Sequence, residues 1–416
     1  MAQLSDDCFA FGGPLLSIED AVALMGERLP IVAVTETVPL AEADGRVAAE
    51  DVAALTNLPP FDNSAVDGYA VRFADLPTSG ETRLPVAGRI AAGQPASGLA
   101  GAAAIRIFTG APMPAGADTV FMQEDVRLDG DGVVLPSGLE QGSNRRLAGE
   151  DVGRGEVIIR AGRRLRPQDL ALAAAAGIER LPVRRKLRVA VFSTGNELAE
   201  PGATLESGAV YDSNRILLCA LLVRLGAEVR DLGILRDDPD EVARQLAAAA
   251  PGCDVILTSG GVSTGEEDHV KAAVERIGRL VFWRLAVKPG RPVAMGLVDG
   301  TAFVGLPGNP VAAYVTTLFL VRPLLARLGG ALVEQPLAVP VRAAFGYRKK
   351  EGRREYVRAS VRPGSDGQLQ AIKFPREGAG ILSSLTGSDG LVELPETCTT
   401  VSDGEIVRFY AHELLW

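Results

Sequence analysis

Between residues 187 and 328, short apolar segments alternate with amphipathic ones, and this alternation constrains the fold more than any other feature. The expected strands are 187–192, 228–235, 254–257 and 280–285, with helices at 214–225, 239–250 and 270–277, a β-pair at 293–304 and a long helix at 310–328. Strands that are apolar along their whole length are buried on both faces, as in a parallel sheet covered by helices on both sides. We therefore predict a doubly wound, mostly parallel α/β domain over residues 187–330.

The remaining chain divides into three further parts by local pattern. Residues 55–151 contain short β-prone segments separated by Gly, Pro and Asp clusters, which predict a β-rich domain. Helix-start signals at Ser17 and Arg166 predict a helical connecting region made of residues 1–54 and 152–186, with a linker around Arg184-Arg185-Lys186. Short strand patterns return after Pro336 and predict a terminal β-domain over residues 331–416.

The charge balance limits the classes of partner. The chain has 43 basic and 52 acidic residues and a net charge of −9, which argues against a general role on nucleic acid or at a membrane surface. Its 4 cysteines show neither a C-x-x-C pair nor metal-ligand spacing. The longest apolar run, 311–321, ends at Arg322-Pro323, well short of a membrane span, and the N-terminus lacks the order of a signal peptide. These features predict a cytoplasmic protein with reduced cysteines.

A glycine-rich segment, TSGGVSTGEEDH at 258–269, follows one predicted strand and precedes a helix. Glycines allow backbone N–H groups to approach an anion closely, and the adjacent helix N-terminus favours negative charge. The segment is neither a Walker loop nor a G-x-G-x-x-G fingerprint. It predicts a phosphate cradle, with a plain connection as the alternative. The residues of this cradle are Ser259, Gly260, Gly261, Ser263 and Gly265.

Five polar or glycine-bearing loops are expected at one edge of the predicted sheet, because ligands bind outside the carboxyl ends of parallel strands. The loops are 193–197, 236–238, 258–268, 288–291 and 305–310. Besides the cradle, their candidate substrate-binding residues are Thr194, Gly195, Lys288, Arg291, Pro307, Gly308, Asn309 and Pro310. Lys288 and Arg291 would supply the positive field that an acidic chain otherwise lacks.

Two acids at this edge, Glu197 and Asp268, point to a metal. Carboxylates beside a phosphate cradle repel an anionic ligand unless a cation lies between them, the usual arrangement for Mg²⁺. The alternative is a pair of solvated loop acids. Asp238 is interpreted as a helix cap before Pro239, and Asn309 as either a helix cap or a ligand contact. His269 and His412 lack a catalytic partner pattern and are interpreted as structural.

A second set of polar residues lies in the predicted β-rich domain, at 59–70 and 144–151. It suggests a second wall for the pocket, in which Asp67 and Asp151 supply acid and Arg146 clamps an anion. The alternative is a set of turns followed by a solvated charge run.

Several longer motifs resemble one known family. They are FDNSAVDGYAV at 61–71, RIFTGAPMPAGAD at 106–118, FSTGNEL at 192–198, YDSNR at 211–215, TSGGVSTGEEDHV at 258–270 and GLPGNPV at 305–311. The chain resembles the molybdopterin molybdenumtransferases, the MoeA family, whose eukaryotic relatives include the gephyrin E domain. The resemblance implies an elongated homodimer with a C-terminal β-barrel, in which the α/β domain of one subunit faces the β-rich domain of the other.

The resemblance also implies roles and a reaction. By motif position, the functional residues are Asp67, Thr109, Asp151, Glu197, Asp237, Asp268, Arg146, Lys288, Pro307 and Pro310. The five acids among them, Asp67, Asp151, Glu197, Asp237 and Asp268, are expected to be catalytic. The implied reaction is magnesium-dependent insertion of molybdate into adenylyl-molybdopterin, with release of AMP, and the implied partners are other cofactor-biosynthesis proteins or recipient molybdoenzymes. Asp67 and Thr109 would come from one subunit and Asp268 from the other. Arg284 stands where the family commonly has lysine.

Two other functions are compatible with parts of the pattern. A nucleotide hydrolase sharing the α/β domain would leave the motifs at 61–71 and 106–118 unexplained. A scaffold that grips a partner peptide, as gephyrin does with receptor tails, would not need the acids Asp67, Glu197 and Asp268. Those acids favour chemistry.

Overall fold

A computed structural model describes residues 4, 8–9, 15–260 and 269–416. Its central sheet has six strands. In spatial order they are Glu228–Leu235, Arg188–Thr194, Val255–Ser259, Thr301–Leu306, Pro292–Val298 and Gly278–Arg284. The first four are parallel, and Pro292–Val298 is antiparallel to both of its neighbours. Gly278–Arg284 therefore runs in the same direction as the first four, and the predicted mostly parallel sheet is confirmed.

Both faces of this sheet are covered by helices. Successive side chains of each strand point to opposite faces, so the strands contribute to two hydrophobic cores. Val189 and Val191 pack with helix Ser213–Arg224 and the long helix starting at Pro310. Ala190 and Phe192 pack on the other face. That face is covered by helices Pro239–Ala249 and His269–Ile277. The region is doubly wound, as predicted.

Helix ends in this region follow local capping chemistry. Asp212 accepts a hydrogen bond from the Arg215 N–H and begins helix Ser213–Arg224. Asp238 accepts bonds from the N–H groups of Asp240 and Glu241, which confirms its role as a cap. Both carboxylates satisfy donors that would otherwise have no intrahelical partner.

The long apolar helix consists of Pro310–Thr316, a π-helical segment Thr317–Val321 and Arg322–Leu328. Within the described ranges it is the one helix whose length and composition would allow it to cross a membrane. However, 83% of its most apolar window is buried inside the protein. It is the core helix of the α/β region.

The β-rich region forms a separate six-stranded sheet. In spatial order its strands are Thr119–Met122, Gly68–Val71, Ala104–Ile107, Thr82–Ile90, Gly132–Leu135 and Arg127–Asp129. A short ladder beside it pairs Arg145–Arg146 with Asn63–Ser64. This ladder joins the two polar motifs expected to form the second wall.

The connecting region is less helical than predicted. It contains helices Ile18–Arg28 and Pro167–Ala175, but also a three-stranded antiparallel sheet and the pair Val157–Ile159 with Val52–Ala53. The three strands are Thr35–Pro39, Arg180–Arg184 and Val47–Ala48.

The prediction of a linker around Arg184-Arg185-Lys186 is wrong. Arg184 ends a strand whose Leu181 and Val183 are buried in the core, and Arg185 forms an ion pair with Asp254 at 2.9 Å. Alternating burial within the strand and the ion pair fix this segment against the central region.

The C-terminal region forms a closed five-stranded barrel. Its strands are Val339–Ala343, Arg354–Pro363, Leu369–Lys373, Gly390–Leu394 and Ile406–Ala411. Closure occurs because Arg354–Pro363 pairs with both Leu369–Lys373 and Gly390–Leu394. A short strand from the central region, Val287–Lys288, extends the barrel by pairing with Arg354 and Glu355.

Candidate functional site at the carboxyl edge of the central sheet

The first two predicted loops contact each other directly. The Asn196 N–H donates to Oδ2 of Asp237 at 3.0 Å, and the Asp237 N–H donates to Oδ1 of Asn196 at 3.4 Å. This reciprocal pair places Glu197 and Asp237 at the same part of the sheet edge.

The start of the glycine loop contacts the 305–310 loop through Asn214. Its Nδ2 donates to Oγ of Ser259 at 2.8 Å and to the carbonyl of Gly308 at 2.7 Å. Ser259 in turn donates to the Pro307 carbonyl at 3.2 Å. Asn214 was missed as a site residue, although its place two residues after the cap Asp212 put it in the first turn of a helix at this edge.

Two glycines in these loops have positive φ angles, which other residues rarely adopt. Gly195 has a φ of +152°, and a Cβ there would lie 2.5 Å from Oε2 of Glu197. The Glu197 carboxylate therefore lies against the Gly195 backbone. Gly260 has a φ of +92°, and a Cβ there would lie 3.5 Å from the Thr194 carbonyl. The first and third loops thus meet at these two glycines.

Three buried hydroxyls at the strand ends have no hydrogen-bond partner among the residues that the structure describes, which omit 261–268. They belong to Ser193, Thr194 and Thr258, which are 1%, 4% and 0% exposed. Buried polar atoms are normally paired, and leaving them unpaired costs free energy. This edge therefore keeps hydrogen-bonding capacity for a ligand or ordered water.

The 288–291 loop contacts the barrel. Nζ of Lys288 donates to Oε2 of Glu355 at 3.0 Å, and the Tyr347 hydroxyl donates to the same oxygen at 2.9 Å. The Glu355 side chain is only 3% exposed. Lys288 reaches Glu355 because the short strand Val287–Lys288 pairs with a barrel strand.

A basic cavity of about 100 Å³ lies between this loop and the barrel. Its charged lining residues are Lys288, Glu355, Arg358, Lys373, Arg376 and Glu377. Arg358 is 8% exposed and donates to Oγ of Ser384 at 3.0 Å and to the Gly378 carbonyl at 3.1 Å. Burial lowers the pKa of its guanidinium, since these partners are neutral. A buried cation with neutral partners is suited to bind an anion.

Sequence reasoning missed Arg358. Its neighbours Val357 and Ala359 point into the barrel core, so Arg358 occupies the outward face of its strand. From sequence that position is typical of a solvated charge. Contacts with Gly378 and Ser384, more distant segments of the same C-terminal region, accompany its burial.

The cavity adjoins the 305–310 loop. The Val311 N–H donates to the Ala379 carbonyl at 3.0 Å, and Ala379 lines the cavity. Asn309 occupies the N-cap position of the following helix, but its side chain makes no capping hydrogen bond. The capping interpretation of that side chain is therefore wrong.

The remaining candidates of the α/β region fall into two groups. Gly261, Ser263, Gly265 and Asp268 lie outside the described residues. Arg284 and Arg291 are exposed at the two ends of the 285–290 loop. In the described ranges, which omit 261–268, no group of three or more His, Cys, Asp or Glu residues is close enough to hold a metal.

In the β-rich region, Asp67 is held by Thr109. It accepts hydrogen bonds from the Thr109 N–H and from the Thr109 hydroxyl, both at 2.8 Å. These bonds lower the pKa of the Asp67 carboxyl, the backbone bond being the larger cause. Asp67 is therefore a fixed, ionised acid.

The predicted clamp Arg146 is already paired. Its Nε donates to Oε1 of Glu150 at 2.7 Å, and the Leu147 N–H donates to the other Glu150 oxygen at 2.8 Å. These bonds lower the pKa of Glu150, the bond from Arg146 being the first cause. Asp151 is exposed, and its N–H donates to the Leu58 carbonyl at 3.1 Å.

The hydrogen bonds seen for Asp67, Thr109 and Arg146 all join residues between 63 and 150. The hydrogen bonds that position these β-rich residues are thus formed within the β-rich region and not with the edge of the central sheet.

Comparisons with known proteins cover nearly the whole chain. The family profile described as MoeA N-terminal region (domain I and II) matches residues 16–177. The profile described as probable molybdopterin binding domain matches 190–327, and MoeA C-terminal region (domain IV) matches 340–411. The three matches correspond to the connecting and β-rich regions, the α/β region and the barrel.

Individual relatives agree. The chain is 41% identical to the molybdopterin molybdenumtransferase of Haemophilus influenzae over 396 residues, covering 94% of this chain and 98% of the relative. It is 36% identical to that of Synechococcus elongatus, covering 92% and 96%. The crystal structure of the molybdopterin biosynthesis moeA protein from Pyrococcus horikoshii OT3 matches with a TM-score of 0.82 and 32% identity, covering 96% of this chain and 100% of that one. The chain therefore belongs to the molybdopterin molybdenumtransferase (MoeA) family.

Proposed function

We propose that this protein is an enzyme of molybdenum cofactor biosynthesis that inserts molybdate into adenylyl-molybdopterin and releases AMP. One observation carries the proposal: a loop-lined sheet edge suited to a phosphate-bearing ligand adjoins a cavity that contains a buried arginine with neutral hydrogen-bond partners. The ligand of the edge and the small oxyanion of the cavity would then be neighbours.

The sheet edge binds the phosphate-bearing substrate. Gly195 and Gly260 keep side chains away from the backbone. The hydroxyls of Ser193, Thr194 and Thr258 have no partner in the described part of the chain. Asn214 holds Ser259 against Gly308, so these two residues are positioned before substrate arrives. Preorganised donors of this kind bind an anion without paying for loop ordering.

The basic cavity binds molybdate. Arg358 is buried with neutral partners, and Lys288 lies at its rim, held by Glu355. Guanidinium groups bind oxyanions through two parallel N–H donors. The contact between Val311 and Ala379 places this cavity next to the substrate edge.

Mg²⁺ would be held at the edge by Glu197 and Asp268, with Asp237 nearby. Mg²⁺ sites in phosphate chemistry commonly use one or two carboxylates together with substrate phosphates and water, so this donor set fits. The ion would neutralise charge on the phosphate that leaves with AMP. Asn196 fixes the orientation of the Asp237 carboxylate through their hydrogen bond.

The active site is shared in a homodimer. Asp67, Thr109, Arg146 and Asp151 would face the edge of the partner subunit, because within one chain their bonds remain in the β-rich region. The domains are taken as 55–151, 187–330 and 331–416, with 1–54 and 152–186 connecting them.

We place the enzyme in the cytoplasm. Cys219, Cys253 and Cys398 are free thiols in the structure. Burial is the main cause that raises the thiol pKa of Cys219, to about 11, and also raises that of Cys253. Reduced thiols of low reactivity are typical of reducing compartments.

The test is molybdate-dependent release of AMP from adenylyl-molybdopterin by the purified full chain. Release should require both molybdate and Mg²⁺, and the product should activate an apo-molybdoenzyme. AMP release that is independent of molybdate would instead support the nucleotide hydrolase. A stable complex without turnover would support the scaffold.

A further inference from the structure

A second basic region lies at the amino end of the central sheet, opposite the proposed active site. Two adjoining cavities of about 40 and 210 Å³ are located where the connecting region meets the α/β region. Both are lined by Arg164, Leu225 and Leu325. Leu187, immediately before strand Arg188–Thr194, also lines the smaller one, which defines the edge of the sheet concerned.

The smaller cavity is lined by five cationic residues and no acidic one. They are Arg46, Arg164, Arg184, Arg185 and Lys186. Arg46 and Arg185 have carboxylate partners outside the lining, Glu36 and Asp254.

The other guanidinium groups here bond to neutral atoms. Arg164 donates to the Gly45 carbonyl at 2.9 Å, and Arg184 donates to the Ala49 carbonyl at 3.4 Å. Among the described residues, the buried Nε atoms of Arg46 and Arg184 have no hydrogen-bond partner. The cations at this cavity are therefore only partly compensated, with Arg46 and Arg185 in ion pairs and Arg164 near Glu334.

The larger cavity adds Arg224 and Arg322 to Arg164, with Glu334 as the one acidic lining residue. Arg322 donates to the backbone carbonyl of Glu334 at 2.9 Å. Burial lowers the pKa of the Arg164 and Arg322 guanidinium groups. Arg224 lies over the Trp416 ring at 5.1 Å from its centroid.

We propose that this junction binds a small phosphate-bearing anion at a site separate from the active site. Clustered cations in partly buried positions repel one another, and an anion that bridges them offsets that cost. Phosphate oxygens match the paired donors of arginine. The lining residues come from distant parts of the chain, around positions 45, 164, 185, 226 and 325, so the bound anion would hold the connecting region against the α/β region.

Isothermal titration of the full-length protein tests the site, with inorganic pyrophosphate and AMP as separate probes in buffers matched for ionic strength. The double variant Arg164→Gln/Arg322→Gln should lose one binding event and keep the event at the active site. Arg127→Gln is the matched control, because it removes an equally charged side chain from an exposed strand of the β-rich sheet. It should keep both events.

A milder variant covers the case in which the double variant does not fold. Arg164→Lys keeps the charge and can keep the bond to Gly45, but it loses the paired donors, so the Kd of this event should rise roughly 10-fold. If the variants lose the binding event for pyrophosphate only, the ligand is an inorganic phosphate. If they also lose the binding event for AMP, the ligand is a nucleotide. An unchanged number of events and unchanged Kd values in the variants would overturn the proposal.

Discussion

The β-rich region and the central-sheet edge both contain polar groups that we propose to face the substrate, but these groups differ in their hydrogen bonding. In the β-rich wall, Asp67 is satisfied by two hydrogen bonds from Thr109, which lower its pKa. At the central edge, the hydroxyls of Ser193 and Thr258 have no partner within the described ranges. The Asp67 carboxylate thus has its hydrogen bonds within the protein, whereas these two hydroxyls have donor and acceptor capacity left within those ranges.

The two regions also differ in how they hold their cations. Arg146 pairs with Glu150 on a surface where the two side chains are 49% and 36% exposed. Lys288 pairs with Glu355, whose side chain is 3% exposed. An exposed pair opens at little cost, whereas separating a buried carboxylate from its cation is costly. Substrate can therefore recruit Arg146 readily, while Lys288 stays where Glu355 holds it.

The largest effect should follow loss of charge at the central edge. Glu197→Gln and Asp268→Asn are near-isosteric, so the fold should survive. The rate of AMP release should fall by at least about 10- to 100-fold, because a metal ligand is lost. Substrate binding should change less. Turnover, substrate affinity and thermal unfolding check this, and wild-type turnover with unchanged Mg²⁺ dependence in both variants would refute the metal assignment.

Mixing variants tests whether the two walls belong to different subunits. Asp67→Asn and Asp268→Asn should each be inactive alone. After subunit exchange, activity should approach about a quarter of wild type, since half of the dimers are mixed and each has one intact site. Exchange is verified with differently tagged subunits. Complete exchange with no recovery would place both acids in the pocket of one chain.

Arg358→Gln should weaken molybdate use. A charged hydrogen bond to the oxyanion is worth about 1.5–3 kcal/mol, so the KM for molybdate should rise by roughly 10- to 100-fold while the affinity for adenylyl-molybdopterin is retained. Arg348→Gln, at an exposed position on a neighbouring short strand, is the matched control. Equal KM values for the two variants would refute the assignment of Arg358 to the oxyanion site.

The smallest effects should come from the two paired cations. Arg146→Ala should weaken substrate binding by less than about 5-fold, in line with exposed ion pairs. Lys288→Ala should have a larger effect and should also lower the unfolding temperature, because Glu355 is left buried without its cation. Both binding losses should shrink as salt rises. Affinity titrations at two salt concentrations check this, and equal affinity to wild type at low salt would refute both clamps.

Much of the architecture could be predicted from local pattern. The central strands are apolar on both faces, and the barrel strands alternate apolar and polar residues. Their burial can therefore be predicted from residues that are close together in the sequence. The caps Asp212 and Asp238 could be predicted for the same reason, because a cap bonds only to residues two or three positions ahead. The meeting of the 193–197, 236–238 and 305–310 loops with the start of the glycine loop follows from the rule for parallel strands.

Only the tertiary structure decided the contacts between distant segments. Lys288 bonds to Glu355, 67 residues away, because a short strand of the central region joins the barrel. Arg358 looks like a solvated strand residue, but it is buried and bonds to Ser384, 26 residues further along the chain. Arg185 looks like part of a linker, but it forms an ion pair with Asp254. Periodicity and capping record the surroundings within a few residues of a side chain. The partner that a charge meets across the fold depends on how the finished regions pack, which no local pattern contains.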